Sequence, residues 1–152
     1  MPFQHLCQQA LERAGLAATG ELVWPGNLRP EDVAAICRER LRNPASRPDA
    51  IFSTNGPTAL GVLRAFRDCG LSTPGDMAFA TFDELTVDDL FTPSVTTVVQ
   101  PAYDIGFQAA KILLQRIDEG EARGKMIAIR LPATLKIRES SRREDRSRTT
   151  ST

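Results

Sequence analysis

The sequence is poor in the residues that build catalytic and metal sites. Its 152 residues include one histidine, three cysteines, one tryptophan and one tyrosine. Cys7, Cys37 and Cys69 form no CxxC pair, so they indicate reduced core thiols in a cytosolic protein and no metal site. His5 lies in a predicted helix, where packing or surface exposure explains it better than catalysis. We therefore expect no metal, no cofactor and no catalytic residue, and a protein that is not an enzyme.

Excess charge and long apolar runs are also absent. The formal net charge is zero, which gives no electrostatic argument for nucleic acid or an anionic membrane as a partner. No apolar run is long enough to cross a bilayer, and residues 1–10 lack the apolar core of a secretory signal. The motifs GxGxxG, GxxxxGK[ST], GxSxG and HExxH do not occur in the sequence. The expectation is a soluble, cytoplasmic protein.

The sequence does contain one clear strand–helix–strand unit. Ala50–Ser53 is a short apolar run bounded by turn residues, which predicts a buried strand, and Met77–Phe82 predicts a second strand. Between them, Pro57 stands where the first turn of a helix tolerates proline, and Gly70 supplies the left-handed residue that ends a helix. Two buried strands joined by one helix predict a parallel pair with a right-handed crossover.

Polar residues follow both of these strands. Asn55 comes after the first and Asp83 after the second, and ligands of open parallel sheets bind outside the carboxyl ends of the strands. Asn55 also suits the cap of the following helix, and both interpretations stay open. The acidic pair Asp88-Asp89 indicates a solvated loop better than a divalent-ion site.

The remaining patterns place two more residues of interest. Helices are predicted at Pro2–Leu16, Pro30–Arg42 and Tyr103–Ile117, and extended runs at Glu21–Trp24, Ser94–Val99, Met126–Leu131 and Ala133–Ile137. Trp24 is either a core or lid aromatic or a flat face that stacks on a sugar ring or base. Gln100 follows a strand and faces either a cleft or solvent. Residues 1–138 form the predicted folded part, and residues 139–152 are too polar to repay ordering and predict a disordered tail.

Three segments together resemble the effector-binding region of the lactose-repressor family of bacterial transcription regulators. They are AIFSTNGPTALGVLRAFRDCGLSTPGDMAFATFDE at residues 50–84, TPSVTTVVQPAYDIGFQAAKILLQRI at 92–117 and LPATLKIRESS at 131–141. The resemblance implies an α/β, parallel-sheet, doubly wound fold like that of periplasmic binding proteins. It also implies that the domain is incomplete here, with its first strand and its partner subdomain missing.

The same resemblance implies a function and a set of binding residues. The chain is expected to be an effector-sensing and dimerisation module for a small sugar or nucleoside-like molecule. Trp24 then stacks on the effector, Asn55 lies where hydroxyls are read, Asp83 accepts hydrogen bonds, and Gln100 stands at the crossover to the other subdomain. DNA would be bound only through a helix-turn-helix headpiece, which no segment of this chain resembles. The alternative is a sugar-binding component of a transport system, disfavoured by the expected lack of an export signal.

The implied loss of the partner subdomain has a physical consequence for one helix. Ile105, Ile112 and Leu113 of the predicted helix Tyr103–Ile117 are expected to face water as an apolar stripe. We therefore expect the chain either to self-associate, forming a homo-oligomer, or to be part of a longer gene product.

Overall fold

The computed structural model describes residues 2–16, 22–85, 92–118 and 126–142. These residues form two compact units. Of the described residues, the first unit comprises 2–16, 22–49 and 57–72, and the second unit comprises 50–56, 73–85, 92–118 and 126–142. Neither unit contains a helix that is long and apolar enough to cross a membrane, as far as the described ranges extend.

The first unit is helical. Helix α1 spans Pro2–Arg13, α2 spans Pro30–Leu41, and α3, which spans Gly56–Cys69, contributes all but its first residue. Helix α2 starts with proline and carries two acidic residues in its first turn, where the positive end of the helix dipole favours them. A Cβ on Gly61 would lie 2.6 Å from Cβ of Val33, so the missing side chain permits α3 to approach α2 closely.

In its described residues, the second unit contains a sheet of four strands, each paired with the next one along the chain, and one α-helix. The strands are β1 at Ala50–Ser53, β2 at Ala78–Phe82, β3 at Thr96–Val99 and β4 at Thr134–Lys136, and helix α4 spans Ala102–Asp118. Strands β1, β2 and β3 are parallel, with Ser53 opposite Thr81 and Phe82 opposite Val98, whereas β4 runs antiparallel to β3. The carboxyl ends of the three parallel strands therefore lie at the same edge.

The predicted strand–helix–strand unit is confirmed. Strand β1 has the predicted bounds, β2 begins one residue later than predicted, and the two pair in parallel. Gly70 follows α3 with φ +64, as expected of the left-handed residue that ends a helix. The predicted fold class, α/β with a parallel sheet, is also confirmed, with the correction that the sheet is mixed because its edge strand is antiparallel.

Two predicted strands are wrong. Of Glu21–Trp24, none of the described residues 22–24 belongs to a strand; Pro25 follows directly and cannot donate to a strand ladder. Met126–Leu131 is irregular and largely exposed, with no strand paired to it among the described residues. Apolar β-branched residues alone do not make a strand when no neighbouring strand supplies the hydrogen bonds.

The predicted tail begins too early. Glu139–Ser141 forms a 3-10 helix, and the Ser140 side chain is completely buried. The prediction considered only apolar content, whereas this segment is held by hydrogen bonds to β2 and β3. Residues 143–152, which make up most of the predicted tail, lie outside the described residues.

Helix α4 is exposed along its length. None of its residues is buried, and the side chains of Ile105 and Leu113 are 43% and 60% exposed. Ile112 is half-buried. The expectation that this stripe faces water is thus confirmed for Ile105 and Leu113.

Candidate functional site

The candidate site is the polar edge, which we define as Asn55, Asp83 and Gln100. Asn55 lies two residues beyond β1, Asp83 directly follows β2, and Gln100 directly follows β3. Because these strands are parallel neighbours, all three residues leave the sheet at the same side. The expectation that Asn55 and Asp83 extend from adjoining parallel strands is confirmed.

Buried hydroxyl groups connect the ends of β1 and β2 beneath the polar edge. Ser53 Oγ donates to Thr81 Oγ1 at 2.7 Å, and both side chains are buried. Thr81 Oγ1 in turn lies 3.0 Å from the carbonyl oxygen of Phe82 and 3.5 Å from that of Asn55. This network satisfies polar groups that would otherwise be costly to bury, and it fixes the backbone from which Asn55 and Asp83 project.

Asp83 has an unusual backbone conformation. Its φ is 72°, and among the residues that the structure describes it is the one non-glycine residue with a positive φ. Aspartate and asparagine tolerate this left-handed region better than most residues do. The Asp83 N–H donates to the carbonyl oxygen of Val98 at 3.0 Å, so β3 holds the turn in place. Its Oδ1 accepts a hydrogen bond from Gln100 Nε2 at 2.5 Å.

The backbone of Gln100 is held by the start of α4, which follows it in the chain. It precedes Pro101, which biases its backbone toward the extended region. The Ala102 N–H donates to the Gln100 carbonyl oxygen at 2.8 Å, and the Ile105 N–H donates to that of Pro101 at 2.9 Å. The side chain of Gln100 is therefore presented by a fixed backbone, although the residue itself is exposed.

Glu84, next to Asp83, belongs to a separate ion cluster. Its Oε1 lies 2.7 Å from Lys136 Nζ and 3.2 Å from Arg138 Nη2. The hydrogen bond from Lys136, with a smaller contribution from Arg138, lowers the pKa of Glu84. Sequence reasoning missed this cluster because its partners lie more than fifty residues away. The consequence is that Glu84 neutralises the cations of the β4 segment, and Asp83 does not.

Trp24 lies in the first unit and is half-buried. Its stacking role remains a prediction, as do the capping and pocket interpretations of Asn55, which is half-buried and directly precedes α3. Asp88-Asp89 lies outside the described residues. Within the described ranges, no group of three or more His, Cys, Asp or Glu side chains is arranged to hold a metal ion.

A shallow depression in the first unit is not a candidate site. It is lined by residues of α2 and α3, and its central charges pair with each other, Arg38 Nη1 lying 2.8 Å from Asp68 Oδ2. This contact, more than that with Arg67, lowers the pKa of Asp68. Cys37 nearby is buried, and desolvation together with the Cys69 thiol raises its pKa to about 11. Such a thiol is a poor nucleophile.

Comparison with known proteins decides the family. Residues 3–141 match the family model of the periplasmic binding protein-like domain. The chain belongs to this family. Within this family it is of the lactose-repressor type, as its relatives and structural neighbours indicate.

Three of these relatives carry informative names. The HTH-type transcriptional repressor PurR of Haemophilus influenzae (strain PittEE) is 35% identical over 116 residues, which cover 74% of this chain and 34% of that protein. A LacI family transcriptional regulator from Enterococcus faecium, solved with bound ribose, is 27% identical with a TM-score of 0.74, and the match covers 88% of this chain and 48% of that one. The transcriptional regulator CelR in its complex with cellobiose is 30% identical with a TM-score of 0.77, and the match covers 88% of this chain and 40% of that one. The chain thus spans about a third of the length of the curated relatives it matches.

Proposed function

We propose that this chain is the C-terminal part of the effector-binding domain of a bacterial transcription regulator and that it senses a small sugar or nucleoside-like effector at the polar edge. Asp83 would accept a hydrogen bond from the effector, Asn55 and Gln100 would complete the polar contacts, and Trp24 would stack on its ring. DNA binding would be the role of a helix-turn-helix headpiece and not of the polar edge. As part of such a regulator, the chain would act in the cytoplasm and in a homo-oligomer.

One observation carries this proposal: the hydrogen-bonded pair of Asp83 and Gln100 at the carboxyl ends of adjacent parallel strands. Carboxylate and amide groups convergent at such an edge suit a ligand rich in hydroxyl or N–H donors. The ribose and cellobiose in the names of two structural neighbours are ligands of this type. The regulators among the relatives favour this function over a component of a transport system.

The proposed mechanism is a population shift without chemistry. An effector that hydrogen-bonds Asp83 more favourably in one arrangement of the regulator stabilises that arrangement by the difference in binding free energy. No nucleophile–base pair is needed, and the polar edge contains neither histidine nor cysteine.

The test is calorimetric titration of the chain with ribose, cellobiose, adenosine and hypoxanthine. Asp83→Asn preserves a residue type that tolerates positive φ but removes the charge, so we expect roughly 10- to 100-fold weaker binding. Asp118→Asn, the same change in the exposed last turn of α4, is the control and should bind like wild type. The function is refuted if no ligand of the panel binds, or if Asp83→Asn binds as tightly as wild type.

A further inference from the structure

The two oxygens of the Asp83 carboxylate have different surroundings. Oδ1 accepts the hydrogen bond from Gln100 Nε2. Oδ2 accepts no hydrogen bond from any residue that the structure describes. Backbone contacts fix both residues, since the Asp83 N–H bonds to Val98 and the Gln100 carbonyl accepts from Ala102. The contact between the two side chains therefore sets the rotation of the carboxylate as well as its position.

Among the described residues, no cation pairs with the carboxylate of Asp83. Lys136 and Arg138, two basic residues of the second unit, contact Glu84. Arg138 Nη1 additionally donates to the carbonyl oxygen of Val95 and to Thr97 Oγ1. Within the described chain, Asp83 has an amide as its side-chain partner and no cation. A carboxylate in this state attracts hydrogen-bond donors and repels a second anion.

We propose that Gln100 is a positioning residue that occupies Oδ1 of Asp83 and presents Oδ2 to one hydroxyl or N–H donor of the effector, so that the site selects an unphosphorylated effector over its phosphorylated form. This inference rests on the proposed function and specifies the class of ligand. Gln100 orients the acceptor because only its Nε2 end donates; its Oε1 would repel the carboxylate. A phosphate group near Oδ2 would add like charge at short range and weaken binding by roughly tenfold or more.

An exchange of the two side-chain types tests the positioning role. In Asp83→Asn, Gln100 still donates to the oxygen of residue 83, which turns the amide NH2 group toward the effector and removes the acceptor. Adding Gln100→Glu reverses that amide, because the new carboxylate accepts from its NH2 group and leaves the carbonyl oxygen facing the effector. The net charge of the pair stays the same as in wild type. A residue with a merely structural role would give no such rescue.

The ligand arm of the experiment measures Kd by calorimetry for ribose, ribose 5-phosphate and cellobiose. We expect wild type to bind a neutral sugar at least about tenfold more tightly than the phosphorylated one. The double variant should regain at least about threefold in affinity for the neutral sugar over Asp83→Asn alone. Equal affinity for ribose and its phosphate, or no gain in the double variant, overturns the proposal while leaving the sensor function intact.

A second arm needs no ligand. Urea unfolding of wild type, Asp83→Asn, Gln100→Glu and the double variant forms a double-mutant cycle, in which we expect the equilibrium constants to depart from additivity by at least about threefold. The control cycle pairs Gln100→Glu with Asp118→Asn, roughly 24 Å away along α4, and should be additive. If no sugar binds, the proposed function fails. An additive Asp83–Gln100 cycle shows separately that Gln100 does not fix Asp83.

Discussion

The Ser140 hydroxyl makes two hydrogen bonds to backbone groups of neighbouring strands. Its Oγ donates to the carbonyl oxygen of Phe79 at 2.7 Å and accepts from the N–H of Thr96 at 2.8 Å, and the side chain is fully buried. Ser140→Ala removes both contacts without changing the backbone. Buried groups that lose a partner cost about 1–3 kcal/mol each, so for two such groups we expect the free energy of unfolding to fall by roughly 2–6 kcal/mol. That is a large part of the roughly 5–15 kcal/mol typical of a domain.

Urea denaturation followed by circular dichroism measures this loss. Ser46→Ala is the matched control, because Ser46 is exposed and its hydroxyl bond, to Asn43, is long at 3.3 Å; we expect a change within about 0.5 kcal/mol. Amide hydrogen exchange gives a local measurement, since the Thr96 N–H should exchange faster once its acceptor is gone. A loss below about 1 kcal/mol with unchanged Thr96 exchange would refute the inference that Ser140 holds β2 and β3 together.

Four further predictions follow from single sites. Gly61→Ala would put a Cβ 2.6 Å from a side chain of α2 and should destabilise by about 1–3 kcal/mol in urea, whereas Gly106→Ala, which meets open space, should not destabilise. Cys37, with its pKa raised to about 11, should be the slowest thiol to react with an aromatic disulfide reagent near pH 8, because roughly one molecule in a thousand carries its thiolate there; equal rates for all three cysteines would contradict this. The lowered pKa of Glu84 implies stability that is present above its ordinary value of 4.5 and is lost as pH falls through the folded-state value, so Glu84→Gln should be less stable than wild type near about pH 7 but not near about pH 3 in parallel melts. Leu113→Glu, on the exposed face of α4, should reduce self-association in size-exclusion chromatography with light scattering, and a wild-type chain that is already a stable monomer would contradict the premise.

The sequence predicted the β1–α3–β2 unit because its local signals agree with one another. The apolar run at Ala50–Ser53, the proline at the start of α3 and Gly70 at its end each favour the observed structure independently. Two of the polar-edge residues, Asn55 and Asp83, followed from the same reasoning, since parallel pairing by itself brings the ends of neighbouring strands together.

The rest depended on contacts that local patterns do not contain. The Asp83–Gln100 hydrogen bond requires the register of β2 on β3 and the left-handed turn at Asp83, neither of which spacing predicts. Ser140 looked like part of a polar tail because a buried hydroxyl is recognisable only once its partners in other strands are known. The strand predicted at Met126–Leu131 was wrong for the opposite reason. Its composition suits a strand, but a strand forms only where a neighbouring strand pairs with it.

The positive φ of Asp83 limits which residues evolution or an engineer can place there. Glycine, asparagine and aspartate enter the left-handed region at little cost, whereas β-branched and bulky residues do not. The backbone at position 83 therefore favours these three residue types, and of the three only aspartate supplies the charged acceptor for the proposed effector. In a library randomised at this codon, selection for folded protein would retain glycine, asparagine and aspartate, and selection for ligand binding would retain aspartate. Sequencing after each selection would therefore separate the requirements of the backbone from those of ligand binding.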